Sequence, residues 1–162
     1  CIKNWLKYFP KEQLLLRDYD TIKINPRGRL VAVANHLSKR GVLQQGSAAF
    51  GKAFENWIFH EINSFRSYAN RDVDLAYWRL ADSGAEVDFV VGDLDVAIEV
   101  KSSDQVQARD LKGLREIDRE HPHTIGKRII VSLDPAARRT EDNIWILPYR
   151  TFLDQLWAGE IF

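Results

Sequence analysis

The clearest pattern in the chain is a pair of short segments in which apolar and polar residues alternate. The segments are residues 86–91 and 94–101. Because successive side chains of a β-strand point to opposite faces, the alternation predicts two strands that each have one apolar face. Gly92 and Asp93 between them predict a tight two-residue turn, and therefore a hairpin. Its predicted core face consists of Val87, Phe89, Val91, Val96, Ile98 and Val100.

The other face of this hairpin collects Glu86, Asp88, Ala97, Glu99 and Lys101. With a two-residue turn, Asp88 pairs with Ala97, and Glu86 pairs with Glu99. Asp88 and Glu99 are then diagonal neighbours within reach of one shared ligand. Two carboxylates on one face repel each other, and a divalent metal ion would compensate their charge.

Helical spacing is strongest over residues 47–64. Its predicted core face consists of Phe50, Phe54, Trp57, Ile58, Ile62 and Phe65. Glu55 stands beside this face, with Ile58, Phe59 and Ile62 at positions i+3, i+4 and i+7. Since burial of an unpaired charge is costly, such a carboxylate is unusual.

Other segments with periodic apolar residues predict the remaining strands and helices. We predict strands at 74–80, 127–133 and 144–147, a helix at 107–120 and a last helix from Pro148. The resulting order is typical of an α/β domain with helices on both faces of a sheet. We assign it to residues 46–162, and residues 1–45 to an N-terminal extension packed on it, with a strand at 21–24 and a helix at 31–41.

Composition excludes several classes of protein. The 162 residues carry 23 Lys and Arg against 23 Asp and Glu, so the chain as a whole is not strongly basic. One Cys allows no internal disulfide, and no apolar run reaches the ~18–20 residues of a membrane span. These features favour a cytoplasmic protein without a membrane partner. Because the chain begins with Cys and contains no Met, we expect a fragment or a processed product.

The acidic hairpin resembles the signature of the PD-(D/E)XK nuclease superfamily. Asp88 matches the first acid, and Glu99-Val100-Lys101 matches Glu-x-Lys on the next strand. The order α-β-β-β-α-β over residues 47–133 also matches, and Glu55 occupies the place of a further acid on the first helix. The resemblance implies a restriction-endonuclease-like core, with a mixed central β-sheet flanked by helices.

Longer phrases are similar to a narrower family, the C-terminal domain of uncharacterised prokaryotic AAA-type ATPases (domain of unknown function family 4143). The phrases lie at residues 50–55, 77–79, 84–89, 97–102 and 110–114. The resemblance implies that the full-length protein carries an ATPase module. This chain has no Gly-x-x-x-x-Gly-Lys-Ser/Thr phosphate loop, so ATP hydrolysis is not assigned to it.

The resemblance also implies a reaction and its residues. Asp88 and Glu99, with the carbonyl of Val100, would bind Mg²⁺ or Mn²⁺, which activates water for phosphodiester cleavage. Lys101 would orient the water or stabilise the phosphate, and Glu55 would hold a metal-bound water or a second ion. We therefore expect a metal-dependent endo- or exonuclease-like domain acting on DNA, with Glu55, Asp88, Glu99 and Lys101 as its catalytic residues.

The residues themselves leave a second hypothesis open. Asp88 could be a solvated strand residue, and Glu99 with Lys101 a simple ion pair on one face. The chain would then be a catalytically silent nuclease-fold module that binds or regulates an ATPase. The aromatic residues Trp5, Tyr8, Phe9 and Trp157 offer a surface for such a module, or for a second copy of the chain in a homo-oligomer.

Overall fold

The computed structural model describes residues 45–162. The strand and helix expected at 21–24 and 31–41, and the aromatic residues of the first ten positions, lie outside the described residues. Within them, ten elements follow one another along the chain. They are α1 (Ala48–Tyr68), β1 (Leu75–Arg79), β2 (Glu86–Val91), β3 (Val96–Lys101), a 3-10 helix (Ala108–Leu111), α2 (Lys112–Glu120), β4 (Lys127–Ser132), β5 (Arg138–Arg139), β6 (Ile144–Pro148) and α3 (Tyr149–Trp157).

The strands form one six-stranded mixed sheet in the order β1-β2-β3-β4-β6-β5. β1, β2 and β3 pair antiparallel, whereas β3, β4 and β6 run parallel. The parallel step from β3 to β4 needs a crossover, which the 3-10 helix and α2 supply. The prediction of a mixed sheet flanked by helices is confirmed. β5 is an additional strand of two residues that the sequence did not indicate.

Helix α1 begins where the sequence predicted and continues one turn further. Ser47 caps it, because its hydroxyl accepts a hydrogen bond from the Phe50 amide at 3.1 Å. The predicted apolar face is buried except for Trp57, which is half-buried. Trp57 instead packs against Tyr149 of α3, with ring centroids 5.7 Å apart. Among residues 45–162, no helix is long and apolar enough to cross a membrane.

Strand β2 is covered on both faces. Val87 and Val90 join one apolar cluster with Leu114 and Ile117 of α2. Phe89 contacts Phe59 of α1, with ring centroids 5.9 Å apart. α1 and α2 therefore cover the two faces of the sheet at the predicted hairpin.

The alternation predicted for β2 is wrong at one point. The register between β1 and β2 shifts between Ala76 and Trp78, where Ala76 pairs with Val90 and Trp78 with Val87. Two residues of β2, Asp88 and Phe89, thus face one residue of β1, which is a β-bulge. The bulge turns Val87 to the α2 side with Val90, away from the core face that strict alternation assigned to it.

The predicted two-residue turn is also wrong. Val91 pairs with Val96, so the loop contains the four residues 92–95. Gly92 and Leu94 both have positive φ, and the Asp95 amide donates to the Val91 carbonyl at 3.0 Å. Leu94 packs against the apolar cluster instead of extending β3, and this contact explains the longer loop.

Candidate functional site

The candidate site lies where β2 and β3 part. Their ladder reaches the pair Phe89–Ile98. Beyond it, the Val100 amide donates to Asp88 Oδ2 at 2.7 Å. The Asp88 carboxylate thereby takes the place of a backbone acceptor. If the register is continued by one pair, Asp88 lies opposite Glu99, and not diagonally to it as the two-residue turn predicted.

Glu99 is the most deeply buried acid of the site, with 4% of its surface exposed. Its Oε1 accepts a hydrogen bond from Lys101 Nζ at 2.5 Å. Its Oε2 is buried and has no hydrogen-bond partner among the described residues. Burial and the negative charge of Asp88 raise the pKa of Glu99 to about 7, and Lys101 together with the backbone amide of Asp88 offsets only part of this rise.

The pKa values of Asp88 and Lys101 are also shifted by burial and by neighbouring charges. Burial raises the pKa of Asp88, the bond from Val100 N opposes the rise, and the charge of Glu55 adds to it. Burial works to lower the pKa of Lys101, but the charge and hydrogen bond of Glu99, together with the charges of Asp88 and Asp110, outweigh it and the pKa is raised. Lys101 therefore remains a cation between two acids.

Glu55 borders the site from α1. Its side chain is 29% exposed, and its Oε1 accepts a hydrogen bond from Lys52 Nζ at 2.7 Å. Its charge reaches Asp88, whose pKa it raises. The structure thus joins Asp88, Glu99 and Lys101 by neighbouring contacts on β2 and β3, with Glu55 near enough to act through its charge. Lys52 is an additional cation at this border.

The chemistry of these donors fits a hard divalent cation. Mg²⁺ prefers oxygen ligands, keeps several waters and is commonly held by one or two carboxylates. The unpartnered Oε2 of Glu99, close to the charge of Asp88, is a buried acceptor of this kind. In residues 45–162, no group of three or more His, Cys, Asp and Glu residues comes together as a metal-binding set. The protein ligands available here are therefore two carboxylates and backbone carbonyls.

The sequence analysis missed a second polar cluster beside the site. Asp134 is 5% exposed and accepts hydrogen bonds from Val106 N at 3.0 Å and Ser132 Oγ at 3.2 Å. Arg138 Nη1 donates to its Oδ1 at 2.5 Å. Asp134 precedes a proline, which is typical of a surface turn. Its partner Val106 is 28 positions away, so no local pattern could reveal the contact.

Three further cations, Lys112, Arg109 and Arg66, have different surroundings. Lys112 Nζ donates to the Ser83 carbonyl at 3.1 Å, which ties α2 to the loop before β2. Arg109 is 86% exposed in its side chain. Arg66 has a structural role, because its two terminal nitrogens donate hydrogen bonds to Asn63 Oδ1 and to the Val73 carbonyl.

Comparison with known proteins gives one match. No curated protein and no solved structure matches the chain. A family model described as Domain of unknown function (DUF4143) matches residues 50–152, which is more than half of the chain and includes all four residues of the candidate site. This match confirms domain of unknown function family 4143, which the shared phrases indicated. The chain therefore belongs to the family described as Domain of unknown function (DUF4143).

Proposed function

We propose that this domain hydrolyses phosphodiester bonds of DNA with the help of a divalent metal ion. One observation carries the proposal: Glu99 places an unpartnered, buried carboxylate oxygen beside a second acid, Asp88. A buried carboxylate oxygen without a hydrogen-bond partner is costly, and such costs are typically retained where they serve a function. The resemblance of Asp88 and Glu99-Val100-Lys101 to the nuclease signature supports the same reaction.

Asp88 and Glu99 would hold Mg²⁺ or Mn²⁺, together with the carbonyl of Val100. When bound, the ion would lower the pKa of a coordinated water and neutralise charge on the phosphate. Lys101 uses one of its three donor hydrogens on Glu99 Oε1. Its remaining donors can bind a phosphate oxygen and stabilise the charge that develops there. Glu55 would accept a hydrogen bond from a water at the outer edge of the site.

We also propose that the domain works beside an AAA-type ATPase module of the same protein. The support is the similarity of its phrases to the C-terminal domain of such ATPases. The ATPase would supply nucleotide hydrolysis, for which this chain has no phosphate-binding loop. The proposal assigns DNA cleavage to residues 46–162 and leaves the role of residues 1–45 to experiment.

Cleavage assays test the proposed reaction. Plasmid and single-stranded DNA are incubated at low salt with Mn²⁺ and, separately, with chelator. We expect slow cutting that requires metal and is lost in Lys101→Ala, because this cation acts on the phosphate under attack. Arg119→Ala is the control, since it removes one cation of an exposed ion pair on α2. It should cut as the wild type does.

The outcomes separate the two hypotheses. Equal cutting by the wild type and Lys101→Ala would assign the activity to another site or to a contaminant. No cutting of any substrate would reject the nuclease proposal and favour the silent module, in which Glu99 and Lys101 form a structural ion pair.

A further inference from the structure

The described residues contain three buried polar or charged side chains, which are Glu99, Ser132 and Asp134. Glu99 belongs to the candidate site. Ser132 pairs in register with Lys101 across β3 and β4, and Asp134 follows two residues later. Two buried polar groups thus adjoin the strand end that carries Lys101, although the proposed reaction uses neither.

Asp134 and Arg138 form a clamp on residues 102–106, the segment that follows Lys101. Asp134 Oδ2 accepts the Val106 amide at 3.0 Å, and Arg138 Nη2 donates to the Val106 carbonyl at 3.3 Å. Both polar backbone groups of Val106 are therefore fixed by one ion pair. The Leu133 amide adds a bond to the Ser103 carbonyl at 2.9 Å. Residues 102–106, which directly follow Lys101, are attached to the end of β4 by these bonds.

The same segment also lies against α1. A Cβ atom placed on Gly51 would lie 3.2 Å from Ser102 Oγ, so the backbone of α1 passes close to Ser102. Gly51 precedes Glu55 by about one helical turn. The segment therefore contacts both the Asp134–Arg138 pair and the helix that carries Glu55.

We propose that Asp134 and Arg138 are positioning residues of the candidate site, which fix Lys101 relative to Glu55 by holding residues 102–106. This inference rests on the proposed function, because it assigns the pair a role in that reaction. Arg138 acts through Asp134 and Val106, without contact to the substrate. When the residues that hold a reacting group in position are removed, the group is misplaced. The rate of the chemical step then commonly falls more than the affinity for substrate does.

A matched pair of arginines provides the test. Arg138 is 42% exposed and lies 2.5 Å from Asp134, whereas Arg115 is 43% exposed and lies 2.7 Å from Asp142. Arg115 lies on α2, outside the clamp. Arg138→Gln and Arg115→Gln therefore each remove an ion pair made by an arginine of similar exposure, although Asp134 is 5% exposed and Asp142 is 38% exposed. Only the first variant loosens residues 102–106.

The first readout is kinetic. We expect Arg138→Gln to lower the single-turnover rate at saturating DNA and Mn²⁺ by about tenfold to a hundredfold. Its DNA affinity in Ca²⁺ should stay within about twofold, because the binding surface is retained. Arg138→Lys should recover part of the rate, and Arg115→Gln should match the wild type. An unchanged rate in Arg138→Gln, or a loss confined to DNA affinity, would overturn the inference.

The second readout does not depend on cutting. In protein labelled with ¹⁵N-lysine, the side-chain resonance of Lys101 should shift in Arg138→Gln and stay in place in Arg115→Gln. If the wild type cuts no DNA but this resonance shifts, the proposed function fails and the positioning role stands. If the resonance does not shift, the positioning role is rejected. Arg138→Lys cannot bridge Asp134 and Val106 in the same way, and it replaces Arg138→Gln in this comparison if that variant does not fold.

Discussion

Glu99 occupies a position that an ionised carboxylate tolerates poorly. It is almost fully buried, one of its oxygens lacks a partner among the described residues, and Asp88 is a second acid nearby. Burial and this neighbouring charge raise its pKa from an ordinary value of 4.5 to about 7. The folded domain therefore holds a proton on Glu99 over a pH range in which the unfolded chain has released it.

The linkage between this proton and folding gives a prediction of stability. Between pH 4.5 and about 7 the folded state binds more protons, so the free energy of unfolding should fall as pH rises through this range. By about pH 8 the loss is nearly complete, and it is at most on the order of 3 kcal/mol. In chelator at pH 8, Glu99→Gln should be more stable than the wild type, and urea melts across pH 4.5–8 measure both effects.

Glu116→Gln is the control for this prediction, because Glu116 forms an ion pair with Arg119 on α2, away from Asp88. It should keep the pH slope of the wild type. Adding Mn²⁺ at pH 8 should stabilise the wild type and leave Glu99→Gln unchanged, since ligand binding favours the folded state. If the free energy of unfolding depends on pH in the same way in the wild type and Glu99→Gln, folding does not raise the pKa of Glu99.

At the scale of elements, α2 meets β2 without room for a side chain. A Cβ atom on Gly113 would lie 2.0 Å from the carbonyl oxygen of Glu86, which is a backbone atom of the strand that carries Asp88. Gly113 therefore sets how closely the helix approaches the start of β2. Its neighbour Lys112 ties the same helix to the Ser83 carbonyl.

Gly113→Ala should destabilise the domain by ~1–3 kcal/mol, since either the helix or the strand must shift to admit the methyl group. The better helix propensity of Ala, worth up to about 1 kcal/mol, offsets only part of this cost. Gly51→Ala is the matched control. Its Cβ would meet the Ser102 hydroxyl at 3.2 Å, a side-chain atom that can rotate, so we expect a smaller change. Urea melts compare the two, and equal stabilities would contradict the close approach of α2.

The local hydrophobic pattern was sufficient to predict the helices and strands, but not the β-bulge and the loop that connect and align them. Helix α1 and strands β2 and β3 follow from hydrophobic spacing, which each segment carries by itself. The bulge at Asp88 depends on pairing with β1, and the four-residue loop depends on the burial of Leu94. Such tertiary contacts override local turn preferences. Asp88 and Glu99 could still be predicted as neighbours, because the hairpin brings them together in either register.

For the whole chain, equal numbers of acidic and basic residues leave little long-range attraction for DNA, and residues 46–162 alone contain more Asp and Glu than Lys and Arg. We therefore expect the isolated domain to bind DNA weakly and through a few short-range phosphate contacts. Each contact releases counterions, and two contacts suffice for about a tenfold loss of affinity between 50 and 200 mM salt. Fluorescence anisotropy with labelled single-stranded and duplex DNA in Ca²⁺ measures this slope. Binding that does not respond to salt would contradict a phosphate-directed interface.

Residues 160–162, the last of the described chain, pack beside the start of β4. Lys127 Nζ donates to the carbonyls of Glu160 and Ile161, and the Phe162 ring lies 5.4 Å from that of Phe65. Asp88 and Glu99 lie toward the opposite end of these strands, and Glu99 is about 10 Å from the level of Lys127 along the strand direction. A dye or surface anchor attached beyond Phe162 would thus be separated from Asp88 and Glu99, which makes this region a suitable handle for single-molecule work.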